Sequence, residues 1–190
     1  MNLRTMMRCG DVVRWHTVRT ARQQTLAEHL YKTWLLAGEL HTLVGLPDST
    51  RIITLQWALT HDQPEILMGD PPTPTKRFIE QFIGDPDIWR RIERDIMADT
   101  DKTHDNFMQK LIADTPSQYV VKIADQIEGW HFISIEGIGP HAEDSRRIPM
   151  MRMQAVAAQA QARWPEFRWA AAMDDVIELL TEGKIEHVGM

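Results

Sequence analysis

Apolar residues recur at helical spacing along most of this chain, and alternating runs of β-branched residues are scarce. The clearest segment is 25–45 (TLAEHLYKTWLLAGELHTLVG). There Thr25 and Glu28 form a capping box, and Leu26, Leu30, Trp34 and Leu35 make an apolar stripe. Gly45 and Pro47 end it. A second helix is predicted over 50–62 and must stop near Pro64, which has no N–H to donate. The run GDPPTPTK at 69–76 reads as a rigid turn, because each proline fixes its own φ. Helices are then expected over 75–83, 85–98 and 117–134, while 99–117 is polar and without a clear period. Gly137, Gly139 and Pro140 predict a loop carrying His141, Glu143, Asp144, Arg146 and Arg147. Two last helices fit 149–163 and 165–182, with Pro165 at a first helical position and Gly183 just past the end. The expectation is an all-α bundle forming a single domain over 1–190, with no internal repeat.

Composition narrows the setting. At 190 residues and 43% hydrophobic, the chain has enough apolar material for one core. One cysteine, Cys9, excludes an intramolecular disulfide framework and fits a reducing compartment. No apolar run approaches the ~20 residues that span a bilayer. The first residues (MNLRTMMRCGDVVRW) lack a continuous signal-peptide core, so a cytoplasmic location is expected, without membrane attachment. A net charge of −6 argues against binding a nucleic-acid polymer. Small anionic substrates stay compatible with it, because a local group of cations can outweigh a mildly acidic surface.

The chemistry concentrates in His29, the adjacent pair His61-Asp62, and Asp125. Two imidazoles and two carboxylates offer mixed N/O ligands for one divalent transition metal such as Co, Zn or Mn. Either histidine alone would more often be a satisfied core residue; two aspartates on separate segments alter that balance. Neighbours in a regular helix diverge by ~100°, so His61 and Asp62 can share an ion only where a helix ends, and Pro64 supplies that end. Asp125 interrupts an apolar helix, which is costly unless it meets a cation, either a metal or Lys122 at i−3. Glu65 lies three residues past Asp62 and suits acid/base chemistry, the alternative being a helix-start carboxylate. Asp70 is a turn former, or else orients a substrate hydroxyl or the Arg14 guanidinium. Arg14, Arg19, Lys76 and Lys122 are candidate phosphate ligands, and Trp15 could stack on a base or sugar. No P-loop, nucleophile elbow or dinucleotide-binding glycine motif is present.

Taken together, RW at 14–15, EH at 28–29, HDQPEILMGDPPTPTK at 61–76 and KIAD at 122–125 resemble the HD-domain phosphohydrolases. The likeness is strongest to the small bacterial 5′-deoxynucleotidases and the related phage enzymes that degrade dATP, and it spans about residues 12–130. It implies metal binding by His29, His61, Asp62 and Asp125, acid/base chemistry by Glu65 with Asp70 nearby, and phosphate contacts from Arg14, Lys76 and Lys122. It also implies that Trp15 packs against deoxyribose and leaves no room for a 2′-hydroxyl. The fold implied is an all-α bundle that works as a homo-oligomer on a small deoxynucleotide. Arg14, Arg19, Lys76 and Lys122 exceed what one phosphate needs, which favours a triphosphate substrate cut to deoxynucleoside and triphosphate, and the resemblance to the phage enzymes implies dATP. The alternatives are a 5′-deoxynucleotidase acting on monophosphates, a nucleotide-binding regulatory protein without turnover, and a cyclic-nucleotide phosphodiesterase.

Overall fold

The computed structural model describes residues 3–98 and 115–182. Within these, α1 (Leu3–Met6) and a 3₁₀ turn (Met7–Gly10) lead into a two-residue antiparallel pair, β1 (Val13–Arg14) and β2 (Gln24–Thr25). Its register sets Val13 opposite Thr25 and Arg14 opposite Gln24. The helices α2 (Leu26–Val44), α3 (Arg51–Ala58), α4 (Glu65–Met68), α5 (Thr73–Ile83) and α6 (Ile88–Ala98) follow. The described part closes with α7 (Pro116–Glu136), α8 (Pro140–Arg163) and α9 (Trp169–Glu182). The architecture is all-α, as the periodicity predicts.

Local chemistry accounts for the element ends. The Thr25 hydroxyl accepts from the Glu28 N–H at 3.2 Å and caps α2. Gly45, at φ 88°, closes that helix in the left-handed conformation that glycine adopts without strain. One core joins α2, α7, α8 and α9 through Leu40 and Val44, Ile123 and Ile127, Met153 and Ala157, and Trp169 and Val176, all at most 2% exposed. Alanines at Ala37, Ala124, Ala157, Ala160 and Ala172 lie in the same core, where small side chains allow close helix approach.

Three boundaries differ from expectation. Helix α3 ends at Ala58 rather than near 62, and residues 59–64 form successive turns. The predicted loop at 137–147 is only a three-residue connection: Gly139 turns at φ 85° and α8 starts at Pro140. Pro149 then sits inside α8, where it removes one i→i−4 bond instead of starting a helix. The last helix begins at Trp169, not 165, because Pro165 falls in a turn in which the Phe167 N–H bonds the Trp164 carbonyl at 3.3 Å. The 99–114 part of the polar stretch lies outside the described residues. No helix among the described residues is long and apolar enough to cross a membrane.

Candidate active site

The capped start of α2 carries His29, which is fully buried. The turns after α3 carry His61 and Asp62, and α7 carries Asp125. One donor atom from each of the four lies within 4.8 Å of all the others. His29 Nε2 is 3.4 Å from Asp62 Oδ2 and 3.3 Å from Asp125 Oδ1, and His61 Nε2 is 3.5 Å from Asp62 Oδ2. The other ring nitrogens are occupied. His61 Nδ1 donates to the Ala58 carbonyl at 3.0 Å, and His29 Nδ1 donates to Glu128 at 2.6 Å. Both Nε2 atoms therefore face two carboxylates, and both are buried without a hydrogen-bond partner. This donor set fits a divalent metal. Burial and Arg14 oppose a charge on His29, yet Asp125, Asp62 and Glu128 outweigh them and raise its pKa well above the usual range. Burial alone would raise Asp62, but His61, His29 and Arg14 hold it well below the ordinary carboxylate range. In the metal-free protein a proton on His29 supplies positive charge that the carboxylates call for.

Beside this cluster, Arg14 reaches Asp62 at 2.8 Å, Glu65 at 3.8 Å and Asp70 at 3.9 Å. Burial disfavours its charge, but Asp62, Asp70 and Glu65 raise its pKa above an already high value. Lys76, on α5, lies 3.4 Å from Glu65 Oε1 and faces the ring of Trp89. Glu65 is buried, with Oε2 lacking any hydrogen bond. Burial, with Asp62 and Asp70 adding to it, pushes its carboxyl up to about 9, against the pull of Arg14 and Lys76. The metal-free native state thus keeps a proton that the unfolded chain, titrating near 4.5, has lost. Stability of the metal-free protein should fall as pH rises from about 4.5 toward 9, and the raised His29 acts in the same direction. A melting series from roughly pH 6 to roughly pH 9 checks the sign; a flat Tm would mean that Glu65 is ionised throughout.

Trp15 is the one non-glycine residue with positive φ, 60°, among the described residues. Its ring stacks on Phe132 with centroids 6.3 Å apart, and it lies against Gly129, where a Cβ would come within 3.3 Å of the indole. The indole N–H donates to Gln24 Oε1 at 3.0 Å, and Gln24 Nε2 donates to Glu128 Oε1 at 2.6 Å. Glu128 accepts from His29 on its other oxygen. A buried relay thus runs from Trp15 through Gln24 and Glu128 to His29. Sequence reasoning missed Glu128 and Gln24. The available signal was a second carboxylate one turn past Asp125 in the same apolar helix.

A cavity of about 290 Å³ opens on these groups, lined by Arg14, Trp15, Asp62, Glu65, Asp70, Lys76 and Asp125 among others. Two expected cations are elsewhere. Arg19 is exposed, and its backbone is committed to the end of α7: its carbonyl accepts from the Ile138 N–H at 2.9 Å. Lys122 is exposed, with its ammonium over the Tyr119 ring at 5.1 Å. Helical side chains lean toward the N-terminus, so Lys122 reaches back one turn, away from Asp125. In their place α8 contributes His141, Ser145, Ile148, Pro149 and Arg152, and α7 contributes Gln126. His141 and Ser145 were missed because residues 137–147 read as a loop, and Gln126, Ile148, Pro149 and Arg152 carry no local signal that places them on a cavity.

The 5′-deoxynucleotidase YfbR-like family matches residues 2–132. The chain belongs to the YfbR-like family. It is 29% identical over 150 residues to the dATP triphosphohydrolase of cyanophage S-2L, covering 78% of each chain. It is 30% identical over 124 residues to the 5′-deoxynucleotidase YfbR of Salmonella typhi, covering 60% of this chain and 61% of that one. Among solved structures, the cyanophage S-2L HD phosphohydrolase DatZ, bound to dA and one catalytic Zn2+ ion, superposes with a TM-score of 0.67. The identity is 24%, over 96% of this chain and 95% of that one, which shows a shared fold. The YfbR-like region contains His29, His61, Asp62 and Asp125, and Arg14, Trp15, Glu65, Asp70 and Lys76 as well. The cavity wall built by α8 lies beyond it.

Proposed function

We propose that this protein hydrolyses dATP to deoxyadenosine and triphosphate, using one divalent metal held by His29, His61, Asp62 and Asp125. The observation that carries this reading is the pair of buried, unpartnered Nε2 atoms facing two carboxylates, beside Arg14, Lys76 and the buried Glu65 carboxyl. A divalent ion there supplies Lewis-acid charge and makes water a usable nucleophile at neutral pH. The chain's own groups do the rest. Lys76 and the free edge of Arg14 hold oxygens of the reacting phosphate, while Asp62 and Asp70 keep the guanidinium in place. Glu65 gives its proton to the departing 5′ oxygen as the bond from that oxygen to phosphorus breaks. Trp15, fixed by Phe132, Gly129 and Gln24, walls the sugar and excludes a 2′-hydroxyl. The relationship to the cyanophage dATP triphosphohydrolase supports the triphosphate substrate. Arg19 and Lys122 play no part in this scheme, since both are exposed away from the cavity.

The test is a product assay on protein loaded with cobalt, zinc or manganese and given dATP, dAMP and ATP separately. Deoxyadenosine with intact triphosphate from dATP, and no turnover of ATP, is the expected result. Phosphate from dAMP with dATP untouched would make it a 5′-deoxynucleotidase, the activity that names its family. No turnover of any deoxynucleotide would favour a binding role. Trp15→Ala is expected to raise the ATP-to-dATP rate ratio by roughly tenfold or more; a constant ratio would mean another group reads the sugar. Homo-oligomerisation belongs to the same proposal, and light scattering in solution decides it.

A further inference from the structure

Arg152 differs from the other cations on the cavity. Arg14 is matched by three carboxylates and Lys76 by Glu65. Arg152 is half-buried, and among the described residues no carboxylate lies within ion-pair distance of it. Among the described residues its one hydrogen bond is a long one, 3.5 Å, to the Thr73 hydroxyl. Burial, with the like charge of Arg77 adding to it, lowers its pKa, and Asp125 offsets this only in part. A guanidinium kept half out of water beside a second arginine is costly until an anion reaches it. The cavity that Arg152 and Thr73 line is also lined by Arg14, Asp62, Glu65, Lys76 and Asp125.

Thr73 and Lys76 stand at i and i+3 at the start of α5, so their side chains are neighbours about 5–6 Å apart at Cβ. Lys76 turns to Glu65 and the metal ligands, while Thr73 turns to Arg152. A phosphate chain whose reacting group sits between Arg14 and Lys76 therefore runs toward Thr73 and Arg152 as it lengthens. We propose that Arg152 and Thr73, with Arg77 adding to the field, form a subsite for the outer phosphates of a nucleoside polyphosphate, distinct from the Arg14–Lys76 pair. This rests on reading the cavity as a phosphohydrolase site. A monophosphate would leave the subsite empty, so Arg152 makes the cavity prefer the longer chain.

Calorimetric binding of inorganic tripolyphosphate and, separately, of deoxyadenosine to wild-type protein and to Arg152→Gln tests this. The substitution is expected to weaken tripolyphosphate by at least about tenfold and to leave deoxyadenosine within about twofold. With dATP the loss should appear in KM rather than kcat. Arg152→Lys should recover part of the tripolyphosphate affinity. Weaker deoxyadenosine with unchanged tripolyphosphate would show that Arg152 reads the base, and no change in either would make it a packing residue; both overturn the subsite. If Arg152→Gln folds poorly, Thr73→Val decides, with a smaller loss confined to tripolyphosphate expected and no loss overturning the proposal. If wild type cleaves dAMP and ignores dATP, the triphosphatase reading fails, while the tripolyphosphate measurement still judges the subsite.

Discussion

Glu65→Gln is expected to slow turnover by about 10²–10⁴-fold while leaving metal binding intact. The carboxyl stands in reach of Arg14 at 3.8 Å and Lys76 at 3.4 Å, the two cations proposed to bracket the reacting phosphate. Glutamine keeps the size of the group and an oxygen for Lys76, so the cavity should keep its shape. It cannot give up a proton and take it back. Burial and the neighbouring aspartates push the carboxyl up to about 9, which keeps it protonated at neutral pH. A divalent cation close by would pull that value down toward the working range, where a general acid is most effective. The activity of the loaded enzyme should accordingly fall as pH rises through the Glu65 value. Single-turnover rates with a parallel zinc or cobalt titration separate the two effects. Unchanged kcat would take Glu65 out of the proton transfer, and lost metal binding would make it part of the ligand support.

Glu128→Gln should lower metal affinity by roughly 10–100-fold, although residue 128 touches no metal ligand atom. The reason lies in the polarity of the relay. Glu128 accepts from His29 Nδ1 at 2.6 Å and from Gln24 Nε2 at 2.6 Å, and Gln24 in turn accepts from the Trp15 indole. Only a carboxylate offers an acceptor on both sides. A glutamine must turn an NH₂ toward one partner. Turned to His29, it leaves the imidazole without the acceptor that orients it. Turned to Gln24, it forces that amide to flip and sets an NH₂ against the Trp15 N–H. Because Glu128 is 1% exposed and Gln24 fully buried, water cannot relieve either conflict. Metal titration should thus weaken, and the ATP-to-dATP rate ratio should rise, in the same variant. Weaker metal with unaltered sugar selectivity would confine Glu128 to the histidine. No change in either would sink the relay as a positioning device.

The candidate ligand set was legible because it rests on residue type and on short-range rules. Carboxylates and imidazoles are improbable in apolar helices without a cation. A histidine–aspartate pair at a helix end needs no tertiary knowledge to be noticed. The α2 cap at Thr25 and the all-α class followed from the same local reading. Prolines misled it twice, at Pro149, which α8 absorbs, and at Pro165, which stays in a turn. A proline forbids one hydrogen bond, and packing against the core decides whether the helix survives that loss.

Cations were the least legible part. Arg19, Lys122 and Arg152 are alike as residue types, yet the first two face solvent and the third lines the cavity. Lys122 even shares a helix with Asp125, but its side chain leans back over Tyr119. Glu128 likewise looks like any helical glutamate until α2 and α7 pack and bring His29 to it across 99 residues of chain. By itself the sequence determined the fold class and the candidate metal-binding groups, because spacing along a helix and the cost of burying charge are local properties. Only the tertiary structure decided which cations line the cavity and which buried carboxylate bonds His29. Those depend on how helices rotate against one another as they bury their apolar faces, and that rotation is a property of the whole core.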